Sequence, residues 1–83
     1  MKCPEWKFVG GEGIESIAYD RKEEVLFFKF WNNPGPYKYL HVNEEMFREL
    51  MAQEHKTTFF NRVMRSRYKE YQHLAPGYFE GCK

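Results

Sequence analysis

The first half of the chain alternates apolar and polar positions with the period of a β-strand. In 25–31, VLFFKFW, one set of alternate residues is wholly apolar and is expected to face the core, namely Leu26, Phe28 and Phe30, whereas the other set includes Lys29. An imperfectly patterned strand at 14–20 precedes this one, and a third strand is expected at 37–42, after a proline- and glycine-containing turn at 32–36. The pattern predicts a three-stranded antiparallel meander over 14–42.

The second half of the chain repeats its apolar positions at helical spacing. Asn43 is a suitable N-cap for a helix over 43–54, whose first turn carries two glutamates where the helix dipole favours acids. Thr57 or Thr58 can cap a second helix. The apolar face of this second helix is formed by Phe59, Phe60, Val63, Met64, Tyr68 and Tyr71. We therefore expect an α+β fold with two helices packed on one face of the meander.

The two ends of the chain lack a regular pattern. Residues 1–13 contain three glycines and a proline, which predicts a flexible lead-in to a domain at 14–69. The C-terminal extension, 70–83, is expected to be irregular because it also contains proline and glycine. It nevertheless carries Leu74, Tyr78 and Phe79, so we expect it to fold back on the domain or to dock a partner.

Charge is distributed unevenly, although the net charge is only +1 and does not by itself indicate a nucleic-acid-binding protein. Residues 43–54 hold four glutamates and one arginine, whereas 56–69 hold five cations and no acid. Arg62, Arg65 and Lys69, at i, i+3 and i+7, would form a stripe opposite the apolar face of the second helix. This stripe is either an ordinary solvated face, paired with the acids of the first helix, or a phosphate-contacting surface.

The aromatic content is high for so short a chain, with eight Phe, six Tyr and two Trp. Each ring buries about 150–250 Å², so a single small core does not need all of them and some are expected on the surface. Tyr37 and Tyr39 share one side of the third predicted strand. Whether they join the core or face solvent depends on the strand register, which the pattern leaves open.

No catalytic or metal-binding signature is present in the sequence. His41, His55 and His73 are scattered, and with Cys3 and Cys82 they match no zinc-ligand spacing, so we expect neither an enzyme nor a cofactor. There is no apolar run long enough to cross a membrane and no apolar leader, which favours a cytoplasmic location. In the cytoplasm, Cys3 and Cys82 are expected to be free thiols. A disulfide between them is the alternative, because the two ends of a domain often lie close together.

Several motifs follow one another in an order typical of a known family. They are Ile14-x-x-Ile17-Ala18-Tyr19-Asp20, Leu26-x-Phe28-x-Phe30, Tyr37-Lys38-Tyr39, Val42 with Met46-Phe47 and Leu50-Met51, and Phe60-Asn61-x-x-Met64-Arg65-x-x-Tyr68. In this order they resemble the KTSC domain, which is found at the C-terminus of some lysyl-tRNA synthetases and as small bacterial and phage proteins. The resemblance implies RNA binding by association with a synthetase, and it directs attention to Tyr37, Tyr39, Asn61, Arg65 and Tyr68. The same residues could equally hold the fold together.

Two functions from different classes remain as hypotheses. The first is a small non-enzymatic domain that binds RNA or single-stranded DNA. Its contact residues would be Tyr37, Tyr39, Asn61, Arg62, Arg65, Tyr68 and Lys69. The second is a protein-interaction module, a phage or bacterial regulator that acts by contact or self-associates, with Tyr71, Tyr78 and Phe79 as the contact residues.

Overall fold

The computed structural model describes residues 4–79 and contains a five-stranded antiparallel sheet whose strands follow one another in chain order. The strands are β1 (Lys7–Phe8), β2 (Ile14–Asp20), β3 (Val25–Phe30), β4 (Asn33–Tyr39) and β5 (Tyr71–His73). The predicted α+β class is confirmed, and the predicted meander corresponds to β2, β3 and β4, but the expectation that the sheet has three strands is wrong. The two added strands come from the segments predicted to be a lead-in and an irregular tail, and they pair with β2 and β4. Cys3 and Cys82, and with them the expectation about their thiols, lie outside the described residues.

Two helical segments cover one face of the sheet. The first is α1 (Glu44–Met51), which is capped as predicted, since the Asn43 Oδ1 accepts a hydrogen bond from the backbone N–H of Met46 at 2.8 Å. The second helical segment, 56–67, consists of α2 (Lys56–Phe59), a π-helical stretch (Phe60–Met64) and α3 (Arg65–Arg67). No helix within 4–79 has the length and apolar character needed to cross a bilayer.

Thr57 has a different role from the predicted cap of the second helical segment. The segment begins at Lys56, and His55 at its N-cap makes no side-chain capping bond. The Thr57 Oγ1 instead accepts hydrogen bonds from the backbone N–H groups of Gly13 and Ile14, at 3.1 and 3.2 Å. The hydroxyl therefore ties the start of β2 to the helical layer rather than satisfying the helix.

The core lies between the sheet and the two helical segments. Leu26 and Phe28 are fully buried, as the alternation predicted, while Phe30 is half-buried and packs against the core. The other buried members of this cluster are Ile14, Ile17, Tyr39, Val42, Met46, Leu50, Phe60 and Met64. Tyr39 is thus a core residue, and the helical face predicted from sequence supplies Phe60 and Met64.

The connection between β3 and β4 is shorter than the sequence suggested. Trp31 and Asn32 alone form the turn, so β4 begins at Asn33 and runs through the segment predicted to be a loop. Proline fits here because the β3–β4 register shifts between Phe28 and Phe30, and irregular pairing tolerates missing N–H donors. Gly35 has a φ of 89°, and a Cβ at this position would collide with the Leu74 carbonyl oxygen.

The face of the sheet opposite the helices, the reverse face, is also partly covered. Beyond β5 the tail folds back, and Phe79 packs edge-on against Trp6 and Phe27 with ring centroids 5.8 and 5.3 Å apart. The Lys29 ammonium lies 4.4 Å from the centre of the Trp6 ring. The expectation that the extension folds back on the domain therefore holds for residues 70–79.

Candidate functional site

An open groove of about 440 Å³ lies between the second helical segment and strands β4 and β5. We call it the aromatic groove and define it by six of its lining residues: Asn33, Tyr37, Tyr39, Asn61, Arg65 and Tyr71. Within the described part of the chain, Arg65 is the one charged residue among those that line it. The groove therefore combines phenol rings, two amides and a guanidinium, with no carboxylate to repel an anionic ligand.

The strand register places the tyrosines of β4 and the rings of β5 on the same face as the core. Tyr37 stands opposite Phe28 on one side and His73 on the other, while Tyr39 stands between Leu26 and Tyr71. Directly opposite residues of antiparallel strands point to the same face, so the register left open by the sequence is settled by these pairs.

The rings of β4 and β5 stack in two cross-strand pairs. Tyr37 and His73 are nearly parallel, with centroids 4.2 Å apart and planes 4° apart. Tyr39 and Tyr71 stack at 5.1 Å and 18°. Because stacked cross-strand pairs restrain each other, the rings form a defined surface rather than a set of independent side chains.

Tyr39 forms the buried floor of the aromatic groove. Its side chain is only 5% exposed, and burial raises the pKa of its phenol above the usual 10.0, an effect that Tyr71 reinforces and Arg65 opposes. The open rings lie beside it, since Tyr37 is half-buried, His73 is exposed and Tyr71 is 53% exposed. A flat ligand placed in the groove would therefore meet Tyr37 and Tyr71, with Tyr39 beneath them and His73 stacked beside Tyr37.

The predicted cationic stripe exists only in part. Arg62 and Arg65 are exposed on the second helical segment, but this helix ends at Arg67 and Tyr68 is extended, so Lys69 does not continue the stripe. The prediction of one helical row through Lys69 is wrong because it assumed a longer helix.

The arginines and Lys69 are not engaged by the acids of the first helix. Within residues 4–79, the ion pairs that α1 makes join Glu44 to Arg21 and to Arg48, at 2.9 and 3.2 Å. No acid in that range pairs with Arg62, Arg65 or Lys69. These cations are thus available to an anionic ligand.

Asn61 and Tyr68, the remaining residues of the closing motif, are separated by the helix. Asn61 is exposed and lines the aromatic groove one turn before Arg65. Tyr68 is half-buried and packs against the core. The Arg67 guanidinium lies 5.9 Å from the centre of the Tyr68 ring. The structure therefore brings Asn61 together with Tyr37, Tyr39 and Arg65, and places Tyr68 outside the groove.

The three residues predicted to contact a protein partner do not form one surface. Tyr71 belongs to the aromatic groove, Phe79 packs on the reverse face, and Tyr78 is 42% exposed next to Phe79. A single patch made by all three is therefore excluded by their placement on both faces of the sheet.

Sequence reasoning missed Asn33 and His73 as members or neighbours of the aromatic groove. His73 also donates a hydrogen bond from its Nε2 to the Pro34 carbonyl oxygen at 3.0 Å, which joins β5 to the start of β4. A period-two reading of Tyr71-Gln72-His73 would have suggested a short strand with two rings on one face. Asn33 gave no such signal, because the turn was expected to continue through it.

Comparison with known proteins identifies the fold and its family. The family model of the KTSC domain matches residues 12–68. The crystal structure of a KTSC domain protein from Yersinia pestis aligns with a TM-score of 0.79 at 27% identity, over 86% of this chain and 97% of that chain. No curated protein matches the chain significantly. The match spans most of the chain and includes every motif from which the resemblance was inferred, and the protein therefore belongs to the KTSC domain family.

Proposed function

We propose that this protein is a non-enzymatic domain that binds unpaired nucleotides of RNA or single-stranded DNA in the aromatic groove. The observation that carries the proposal is the open row of rings, Tyr37, Tyr71 and His73, beside an arginine that no acid of residues 4–79 engages. Rings of this kind accept any base by stacking, and the arginine fork suits a phosphate group.

Each part of the aromatic groove has a chemical role in this proposal. Bases stack on the exposed faces of Tyr71 and Tyr37, while the amides of Asn33 and Asn61 offer donors and acceptors to base edges. Arg65 contacts phosphate within the groove, and Arg62 and Lys69 add positive charge outside it. A duplex keeps its bases stacked and paired, so the rings favour single strands.

Fluorescence polarisation with labelled RNA and DNA single strands and a matched duplex, at low salt, tests the proposal. We expect the single strands to bind more tightly than the duplex. Arg65→Gln should weaken binding, whereas the charge-matched control Arg48→Gln should not, because Arg48 lies on α1 and pairs with Glu44. Absence of binding to every single strand tested, or equal loss in both variants, would refute the proposal.

The second candidate, a protein-interaction module, is favoured by a separate observation. Phe8 and Trp31 are 73% and 49% exposed, and their rings contact each other edge-on at 6.0 Å. Exposed aromatic pairs are common at protein interfaces. The substitution Phe8→Ser would then abolish capture of a bacterial or phage partner while leaving nucleic-acid binding unchanged, which separates the two candidates.

A further inference from the structure

Within residues 4–79, strand β5 has backbone groups on its outer edge that no other strand pairs with. The Leu40 N–H donates to the Glu70 carbonyl at 3.0 Å, and the Leu74 N–H donates to the Pro36 carbonyl at 2.8 Å. Backbone groups of an antiparallel strand alternate in direction, so those of Glu70, Gln72 and Leu74 face β4. Those of Tyr71 and His73 therefore face outward, and within residues 4–79 no further strand pairs with them.

Apart from its short length, this edge lacks two features by which proteins commonly prevent strand pairing, a proline and a lysine. Tyr71, Gln72 and His73 are all exposed, and none of them is a proline or a lysine. The other edge strand, β1, has two residues, one of which is Lys7. Of the two edges, β5 is the one suited to accept another strand.

The sequence of β5 is complementary to itself around Gln72. In an antiparallel pair of two β5 strands related by a two-fold axis at Gln72, Tyr71 of each copy stands opposite His73 of the other. The sheet already contains such a pair, since Tyr37 opposes His73 across β4 and β5 and stacks on it at 4.2 Å. The new pairing would therefore place the same two ring types opposite each other, this time at a hydrogen-bonded position.

We infer that β5 pairs with β5 of a second copy and joins two sheets into one of ten strands. The outward N–H and C=O groups of Tyr71 and His73 make four hydrogen bonds across the axis, and the two Tyr–His pairs lie on the aromatic face. So small a contact gives a weak dimer that depends on concentration rather than a permanent one.

The second copy contributes to the aromatic groove in this arrangement. Tyr71 and His73 of each copy adjoin those of the other, so the rings form one continuous row across the axis. If nucleotides bind as proposed above, a single strand that spans both grooves binds with the advantage of two linked sites. The pairing itself requires no nucleic acid and is tested without it.

Charges placed at Gln72 provide the test. This residue faces its own copy across the axis at a non-hydrogen-bonded position, where side chains are close and like charges repel. Gln72→Lys and Gln72→Glu should each weaken the dimer by about fivefold, the upper end for one cross-strand charge pair, and a one-to-one mixture should restore it. Sedimentation velocity over increasing chain concentration measures the dimer in all three samples.

Matched controls separate pairing from damage to the fold. Thr58→Lys and Thr58→Glu place the same charges at an exposed position on α2 and should leave the dimer unchanged. Gln72→Glu places a carboxylate opposite Lys38 of β4, and this attractive pair holds β5 in place. The effect of Gln72→Glu on the dimer therefore cannot come from loss of the strand. A monomeric wild-type chain at every concentration, or a mixture no more associated than its components, would overturn the inference.

Discussion

At the scale of single residues, Tyr39 shows that a ring can serve the core and the candidate site together. Its side chain is buried among Phe28 and Phe60, with ring centroids 5.5 and 5.4 Å away, while one face supports Tyr71 at the base of the aromatic groove. Sequence reasoning treated core and surface as alternatives for this tyrosine. The strand register decides between the core and the surface. It depends on the two-residue turn and on the register shift between Phe28 and Phe30, and no sequence pattern predicts either of them.

Substitution of the exposed Tyr71 ring tests the binding of single strands. Tyr71→Ala should weaken single-strand binding by about 1–3 kcal/mol, the value for one stacked base, because the ring is 53% exposed and lies at the open side of the groove. Polarisation titration measures the loss. Tyr78→Ala removes a similarly exposed tyrosine outside the groove and serves as the control. Equal affinities for the two variants would contradict the role given to Tyr71.

Tyr19 and Tyr39 should make the protein sensitive to alkaline pH. Burial is the main cause that raises the pKa of each phenol above 10.0, and the Tyr19 hydroxyl also donates to the Val42 carbonyl at 2.6 Å. The folded chain then holds these protons more tightly than the unfolded chain does. The resulting stability is complete below pH 10 and is lost as pH rises through the folded-state pKa values.

Denaturant unfolding at a series of pH values checks this expectation. Tyr39→Phe removes the ionisable group, so its free energy of unfolding should fall less steeply above pH 10 than that of the wild type. Tyr78→Phe is the control, since that side chain is 42% exposed, compared with 5% for Tyr39. Parallel curves for wild type and Tyr39→Phe would show that Tyr39 does not contribute.

At the scale of elements, the second helical segment departs from the regular helix assumed in reading the sequence. The Arg65 N–H donates to the Phe60 carbonyl, five residues earlier, so the segment contains a π-helical turn beside the groove. A constant advance of about 100° per residue places Arg67 in the apolar sector, whereas Arg67 is exposed. The extra residue in the π-helical turn changes the direction that Arg67 faces. No local pattern of residue types predicts such a turn.

The link between α2 and β2 should contribute measurably to stability. Thr57→Val keeps the shape of the side chain but leaves the N–H groups of Gly13 and Ile14 without their acceptor. We expect a loss of about 1–3 kcal/mol, the cost of unsatisfied donors that are shielded from water. Thr58→Val is the adjacent control, because Thr58 is exposed. Chemical denaturation measures both, and similar values for the two would refute the link.

At the scale of the whole molecule, the class of the fold could be predicted from the sequence, but the number of strands in the sheet could not. The wholly apolar alternate set of β3 and the helical spacing around Met46 and Leu50 predicted the central layers and their core. The outer strands have two and three residues, too few for a period to be recognised. One of the six residues that define the aromatic groove, Tyr71, lies on β5, so the site could be anticipated only in its β4 and helical parts.

The net charge of the whole molecule is close to zero. The salt dependence of nucleic-acid binding should therefore reflect only the phosphate contacts of individual side chains. Three phosphate contacts, from Arg62, Arg65 and Lys69, predict a slope of about −2 for the logarithm of the binding constant against the logarithm of salt concentration. Removing one of them, as in Arg62→Gln, should reduce the slope by about 0.7. Polarisation titrations at several salt concentrations provide the value. A slope near zero would place phosphate groups away from these side chains.

The match to the family model ends at Tyr68, three residues before β5 begins. Tyr37, Asn61 and Arg65 therefore lie within the shared domain, while Tyr71 and His73 belong to a segment outside it. The segment touches the core through the stacking of Tyr71 on Tyr39, while its own three residues are all exposed. If the aromatic groove binds nucleotides as proposed, substitutions in this three-residue strand can change the ligand preference while the residues that match the family model stay the same.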